Sequence, residues 1–212
     1  FFFKQKTASE IKECHWSSDV CSSDLAGAAA EKIGFPVVLK TVSPQFSHKT
    51  EIGGVKLNLK SSGEVESEAK GLHGALRKLA PDAAIDGYLV QEMASGVEVI
   101  LGARNDALYG PMILFGAGGI LVELTKDVAF RLLPVTPDDA RAMIAETKVS
   151  KLLAGYRGKP AADTEALVKA ICGLSDFFID HRHLLADLEI NPLIVGAKGA
   201  GVRAVDVRPV KI

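Results

Sequence analysis

The sequence predicts a mixed α/β fold of the α+β type, on three observations. Short runs of β-branched and aliphatic residues recur along the chain at 36–39, 55–59, 87–93, 97–101 and 111–115, bounded by glycine, proline and polar turns. Between and after them lie segments whose apolar residues return at the helical period, at 65, 69, 72, 76 and 79 and again at 167, 170, 171, 174, 177 and 178. Residues 187–195 alternate acid or amide with aliphatic, and residues 204–207 follow a glycine-rich turn as their antiparallel partner. With 212 residues, 48% of them hydrophobic, the chain is long enough for one domain with a real core or for two small lobes.

The totals restrict the partners. Lys and Arg number 25 against 26 Asp and Glu, a net charge of −1, so no overall basic field attracts nucleic acid, and small anionic ligands are expected instead. Cys14, Cys21 and Cys172 show neither CxxC nor zinc spacing, which fits a reducing cytoplasm. No apolar run is as long as a bilayer requires, so no membrane partner is expected. Residues 1–25 hold the single Trp and two of the three Cys and follow neither period, so they are set apart as a non-native or disordered tail. The stretch is similar to a translated sequencing-library adaptor, and Cys14, His15 and Cys21 lack the fourth ligand that closes a zinc tetrahedron.

In order, residues 26–33 are alanine-rich and helix-prone, ended by Gly34 as a C-cap. A strand then delivers Lys40 at its end, and a loop of Ser, Pro, His48, Lys49 and Thr follows before Gly53-Gly54. Cations, an imidazole and hydroxyls on a loop closed by glycines suit a polyphosphate; a solvated strand-edge lysine is the plain alternative. Ser62 opens a helix that Pro81 stops. The strands at 87–93 and 97–101 flank Ala94-Ser95-Gly96, and an ordinary meander with a charged rim explains them equally well. The strand at 111–115 runs into Gly116-Ala117-Gly118-Gly119, which starts like a dinucleotide fingerprint and fails it at Leu121. A Walker A loop is also missing: Gly158-Lys159 is followed by Pro160. Thr136-Pro137-Asp138-Asp139 is a helix N-terminus, with a capping Thr, proline in the first turn and acids at the positive end. Residues 156–160 form a basic turn, and the helix of 163–180 is read as core. Alternation then puts Asp187, Glu189 and Asn191 on one face of a half-buried hairpin. That row is a hard-oxygen site suited to Mg²⁺, or else a set of solvated polar residues.

Taken together, the Lys40 strand with its Ser-x-x-x-x-His-Lys loop and Gly-Gly-Val, Val90-Gln91-Glu92-Met93, Phe115-Gly116-Ala117-Gly118-Gly119 with Asp127 and Arg131, and Glu189-Ile190-Asn191-Pro192-Leu193 resemble a known pattern. It is that of the ATP-grasp domain of ADP-forming acyl-CoA synthetases, with the ADP-forming acetate–CoA ligase as type case. The resemblance covers residues 26–212 and implies two lobes enclosing a nucleotide, 26–93 and 94–212, with the N-terminal part truncated. It implies that ATP and Mg²⁺ are bound, with Lys40, Lys49, Gly53 and Gly54 at the phosphates, Gln91, Glu92 and Met93 lining adenine, and Glu98 near the ribose. Asn191 and Asp206 would hold the metal with Glu189 adjacent, the glycine loop with Glu123, Asp127 and Arg131 would border the phosphates, Arg131 would neutralise the transferred group, and His48 would be the nucleophile. The implied reaction joins a small carboxylic acid to CoA at the expense of ATP, through phosphohistidine. It is incomplete on this chain and needs a CoA-binding, acyl-transferring domain or alpha-type subunit with its own relay histidine. The alternative is a catalytically silent nucleotide-sensing or scaffold module of the kind found in acetyltransferase fusions.

Overall fold

A computed structural model of the chain describes residues 18–43, 53–82, 84–119 and 127–212. These fall into two compact units, one ending at Met93 and the other running from Ala94 to Ile212.

In the first unit four antiparallel strands, β1 (Ser18–Cys21), β2 (Val37–Val42), β3 (Val55–Leu59) and β4 (Gly87–Glu92), form a sheet in the order β1-β4-β2-β3. β1 lies within the stretch that the sequence sets apart as a tail. It joins the sheet through backbone pairing of Ser18–Cys21 with β4, which needs no apolar period in its side chains. Helices α1 (Ala26–Ile33) and α2 (Ser62–Leu79) cover one face. The α1 stripe of small residues, Ala26, Ala29 and Ala30, packs with Val65, Ala69 and Leu72 of α2 over Val37, Leu39, Tyr88 and Val90. Gly34 ends α1 at φ 90, its N–H donating to Ala30 O at 2.9 Å. Ser61 caps α2, its hydroxyl accepting from the Glu64 N–H at 3.3 Å while the Glu64 carboxylate accepts from Lys60 N–H at 2.7 Å. Leu79, the last apolar residue of the expected stripe and the last of the helix, is 62% exposed, whereas Leu76 in the same turn is buried.

In the second unit six antiparallel strands make one sheet: β5 (Val97–Asp106), β6 (Gly110–Ala117), β7 (Val128–Leu132), β8 (Leu185–Val195), β9 (Val202–Ala204) and β10 (Val207–Lys211). The order is β10-β8-β5-β6-β7, with β9 also paired to β8. The expected partner of the C-terminal hairpin is thus two strands. They are interrupted at Val205 and Asp206, where Val205 N–H donates to Pro192 O and Asn191 N–H to Asp206 O, at 3.1 and 3.0 Å. Helices α3 (Pro137–Glu146), α4 (Ser150–Leu153) and α5 (Thr164–His181) pack on one face. Register puts Val99, Leu101, Ala103, Ile113, Phe115, Ala129, Leu188 and Ile190 on that helix-covered face, where they form the core with Met143, Ile171 and Phe178. Thr136 and Asp139 form the capping box of α3, at 3.2 and 2.9 Å. Among the described residues no helix is long and apolar enough to cross a membrane.

Candidate functional site

In the first unit the side chains of β2 and β4 divide between two faces. Val37, Leu39, Thr41, Tyr88 and Val90 share a side, facing the helices, and Glu92 pairs across from Val37 on that side. Val38, Lys40, Leu89 and Gln91 share the other. Lys40 is only 9% exposed, an unusual place for an ammonium. Gln91 Oε1 is buried without a hydrogen-bond partner. A buried acceptor without a partner is completed by a ligand that offers it a donor. The Met93 N–H is already given to Pro36 O at 3.1 Å. Gly53 and Gly54 precede β3, and Gly54 O accepts from the Thr41 N–H at 2.9 Å, next to Lys40. His48 and Lys49 lie outside the described residues.

In the second unit Glu98 leads the face opposite the helices, because its neighbours Val97 and Val99 turn to the core. Glu189 is on that same face, directly across from Gly102 on one side and Arg208 on the other. Asn191 is drawn in by the glycine loop, since Gly119 N–H donates to Asn191 Oδ1 at 3.0 Å. Gly118 N–H donates to Glu98 O at 3.0 Å, so the two glycines link Glu98 to the hairpin. Both positions favour glycine, for different reasons. A Cβ on Gly118 would sit 2.6 to 2.7 Å from the Val99 backbone, and Gly119 has φ 63 with a Cβ position 2.5 Å from Glu98 Oε2. Asp206 is exposed and follows Asn191 through the backbone bond between them.

Two residues placed near the phosphates by the sequence have other partners. Arg131 pairs across from Ile113 on the helix-covered face, where its guanidinium forms a two-pronged ion pair with Glu146. That pair raises the Arg131 pKa and holds the Glu146 carboxyl below the usual range. It therefore stands on the other side of the sheet from Glu98 and Glu189. Asp127 accepts from the Lys148 N–H at 2.9 and 2.7 Å and from the Val149 N–H at 3.1 Å, which fixes the segment leading into α4. Glu123 lies outside the described residues. The role of Gly119 as the donor to Asn191 escapes a sequence reading, which marks the glycine loop but not its partner.

The donor set of the hairpin suits a hard cation. Asn191 Oδ1 has two lone pairs, one of them used by Gly119, and the carboxylates of Asp206 and Glu189 add negative oxygens. Among the described residues no group of three or more His, Cys, Asp or Glu could hold a metal. One amide and two acids fit Mg²⁺, which keeps waters and takes phosphate oxygens.

Residues 14–210 match the family described as ATP-grasp domain. The chain is 43% identical over 180 residues to acetate–CoA ligase [ADP-forming] II subunit beta of Pyrococcus furiosus, covering 84% of this chain and 76% of that one. It is 44% identical to the 4-hydroxybutyrate–CoA ligase [ADP-forming] of Nitrosopumilus maritimus, of which it spans 26%, about a quarter of that longer chain. Among solved structures it is similar to the dinucleotide forming acetyl-coenzyme A synthetase 1 of Ca. Korarchaeum cryptofilum in complex with coenzyme A, Ca-AMPCP and HgCl+. The TM-score is 0.86 at 40% identity, over 93% of this chain and 86% of that one. The same protein with coenzyme A and Mg-AMPPCP, its phosphohistidine segment pointing towards the nucleotide binding site, matches with a TM-score of 0.76 at 38% identity, over 92% and 84% of the two chains.

Proposed function

Because the chain belongs to the ATP-grasp family of ADP-forming acyl-CoA synthetases, which are acid–thiol ligases, we propose that it binds Mg·ATP and starts the phosphoryl transfer of such a ligase. The overall reaction is acid + CoA + ATP = acyl-CoA + ADP + phosphate. The observation that carries this reading is the bond from Gly119 N–H to Asn191 Oδ1, which joins the glycine loop beside Glu98 to the amide and acids of the hairpin. When bound, Mg²⁺ supplies charge neutralisation on the phosphate oxygens, and phosphoryl transfer depends on positioning and charge more than on covalent help. Asn191 and Asp206 would hold the ion with Glu189 adjacent, and Glu98 would accept from the ribose hydroxyls. From the first unit Lys40 would offer its ammonium to phosphate and Gln91 its orphaned acceptor to the base. His48 would attack the γ-phosphoryl with a neutral ring nitrogen: the N–P bond forms as the bond to the ADP oxygen breaks, and ADP leaves. The phosphoryl group would then pass to an alpha-type half that binds CoA and the acid.

Calorimetric titration of the chain with ATP, with and without Mg²⁺, tests the reading. Saturable binding that needs the metal is expected, and it should be lost when Asn191→Ala and Asp206→Ala are combined; binding unchanged in that pair sinks the metal assignment. Labelling from γ-labelled ATP should vanish in His48→Asn, and full labelling there would show another nucleophile.

A further inference from the structure

The second unit holds a cleft of about 930 Å³ that meets the nucleotide reading at Glu98 and Gly118 and whose wall at 148–162 that reading does not use. One side is formed by the ends of three strands at Gly96, Gly118 and Gly196, and the other by the segment 148–162. Three cations line it, Lys148, Arg157 and Lys159; all are exposed, and among the described residues none of them forms an ion pair. Among the described residues two carboxylates line it as well: Asp127 is taken up by the backbone N–H groups of Lys148 and Val149, and Glu98 is the acid that the nucleotide reading gives to the ribose. The balance favours an anion. Apolar side chains, among them Val97, Leu152, Pro160 and Val195, make up much of the remaining wall.

Arg157 is held in a conformation that few side chains adopt. Its φ is 50 and that of Gly158 is 81, and Lys159 N–H donates to Tyr156 O at 3.1 Å. This is a β-turn with both corners left-handed, where Asn, Asp and Gly are the usual residues. The turn sets the guanidinium over the Tyr156 ring, 5.3 Å from its centroid. An exposed arginine at a corner that glycine would occupy without strain points to a use for the guanidinium itself. Stacking restricts its orientation, and a planar fork of donors matches phosphate oxygens. The cleft is far larger than one phosphate and falls in the range of small-molecule sites, roughly 300–1,000 Å³.

We propose that this cleft binds a phosphomonoester dianion carried on an apolar body, gripped by Arg157, with Lys148 and Lys159 supplying further charge. The nucleotide reading shares Glu98 at the edge of this cleft but assigns none of these three cations, so a variant of Arg157 separates the two.

Phenyl phosphate joins the dianion to an apolar ring and is the probe. The 212-residue chain is titrated with it by calorimetry, beside phenol and inorganic phosphate, and the Arg157→Gly variant is titrated in parallel. Glycine relaxes the left-handed corner, so this variant keeps the turn and removes only the fork. Phenyl phosphate should saturate the chain and bind more tightly than phenol or inorganic phosphate. Arg157→Gly should weaken it by at least about tenfold, the loss of one charge-assisted contact, while the response to Mg·ATP is unchanged. No saturable binding, equal binding by Arg157→Gly, equal binding of phenol, or displacement of the probe by Mg·ATP would each overturn the proposal, the last by locating the probe in the nucleotide site.

Discussion

Gly118 and Gly119 are adjacent, yet an alanine at each should fail in a different way. A Cβ on Gly118 would lie 2.6 Å from the carbonyl carbon of Val99 and 2.7 Å from its N and O. Those are backbone atoms of β5, which is paired on both sides, to β6 and to β8. They cannot rotate aside, so relief requires the strands to part. Overpacking in such a place costs about 1–3 kcal/mol or more, and we expect about 3 kcal/mol for Gly118→Ala. At Gly119 the atom in the way is Glu98 Oε2 at 2.5 Å, the tip of a flexible, exposed side chain. Glu98 swings away at little cost. The stability loss is then that of placing alanine at φ 63, about 1 kcal/mol. The functional loss is larger in proportion: Glu98 is displaced and the bond to Asn191 is loosened, worth about 1 kcal/mol and so roughly a fivefold to tenfold drop in affinity for Mg·ATP. Urea unfolding ranks the two stabilities, and calorimetric titration reads the affinity. Equal unfolding midpoints for the two variants would refute the argument from what each Cβ meets. So would an unchanged affinity in Gly119→Ala.

Other outcomes follow from the same geometry. Asp163 caps α5 through Ala166 N–H at 3.2 Å and also binds the N–H groups of Gly199 and Gly201 at 3.0 and 2.9 Å, so Asp163→Ala should cost about 1–2 kcal/mol in urea unfolding. Those backbone donors, the Gly201 N–H foremost, hold its carboxyl below the usual range. A lowered folded pKa means the contribution is complete above the unfolded value near pH 4 and is lost as pH falls through the folded one. Between about pH 5 and about pH 3 the wild type should therefore lose stability that Asp163→Asn does not lose. Arg131→Met should lower stability by no more than about 1 kcal/mol, since the pair with Glu146 is exposed, and should leave Mg·ATP affinity unaltered. Weakened binding in that variant would return Arg131 to the site.

Much of the fold is legible in the sequence because it is written in local terms. The helical period of α5, the Thr136 and Asp139 pair that caps α3, and the alternation of β8 each follow from residues a few positions apart. Glu189 and Asn191 are marked in the same way, by the alternation of their strand, while Glu98 is marked only by the family resemblance. Partners across long separations are not marked. Arg131 and Asp127 read as phosphate ligands until Glu146 and the Lys148 and Val149 backbone claim them. Leu79 reads as core, yet it stands exposed at the end of its helix.

By itself the sequence determined the element types, the caps and the family. Propensity, period and side-chain chemistry act over one or two turns and need no third dimension. The tertiary structure decided which face each strand residue took. One register places Lys40 with Gln91 away from Glu92, and another places Arg131 away from Glu98. It also decided that Gly119 holds Asn191, 72 residues away in the chain, and that Arg157 faces a cleft from a left-handed corner. Those contacts depend on how sheets pair and layers pack, and pairing is a property of the whole unit, not of the segment.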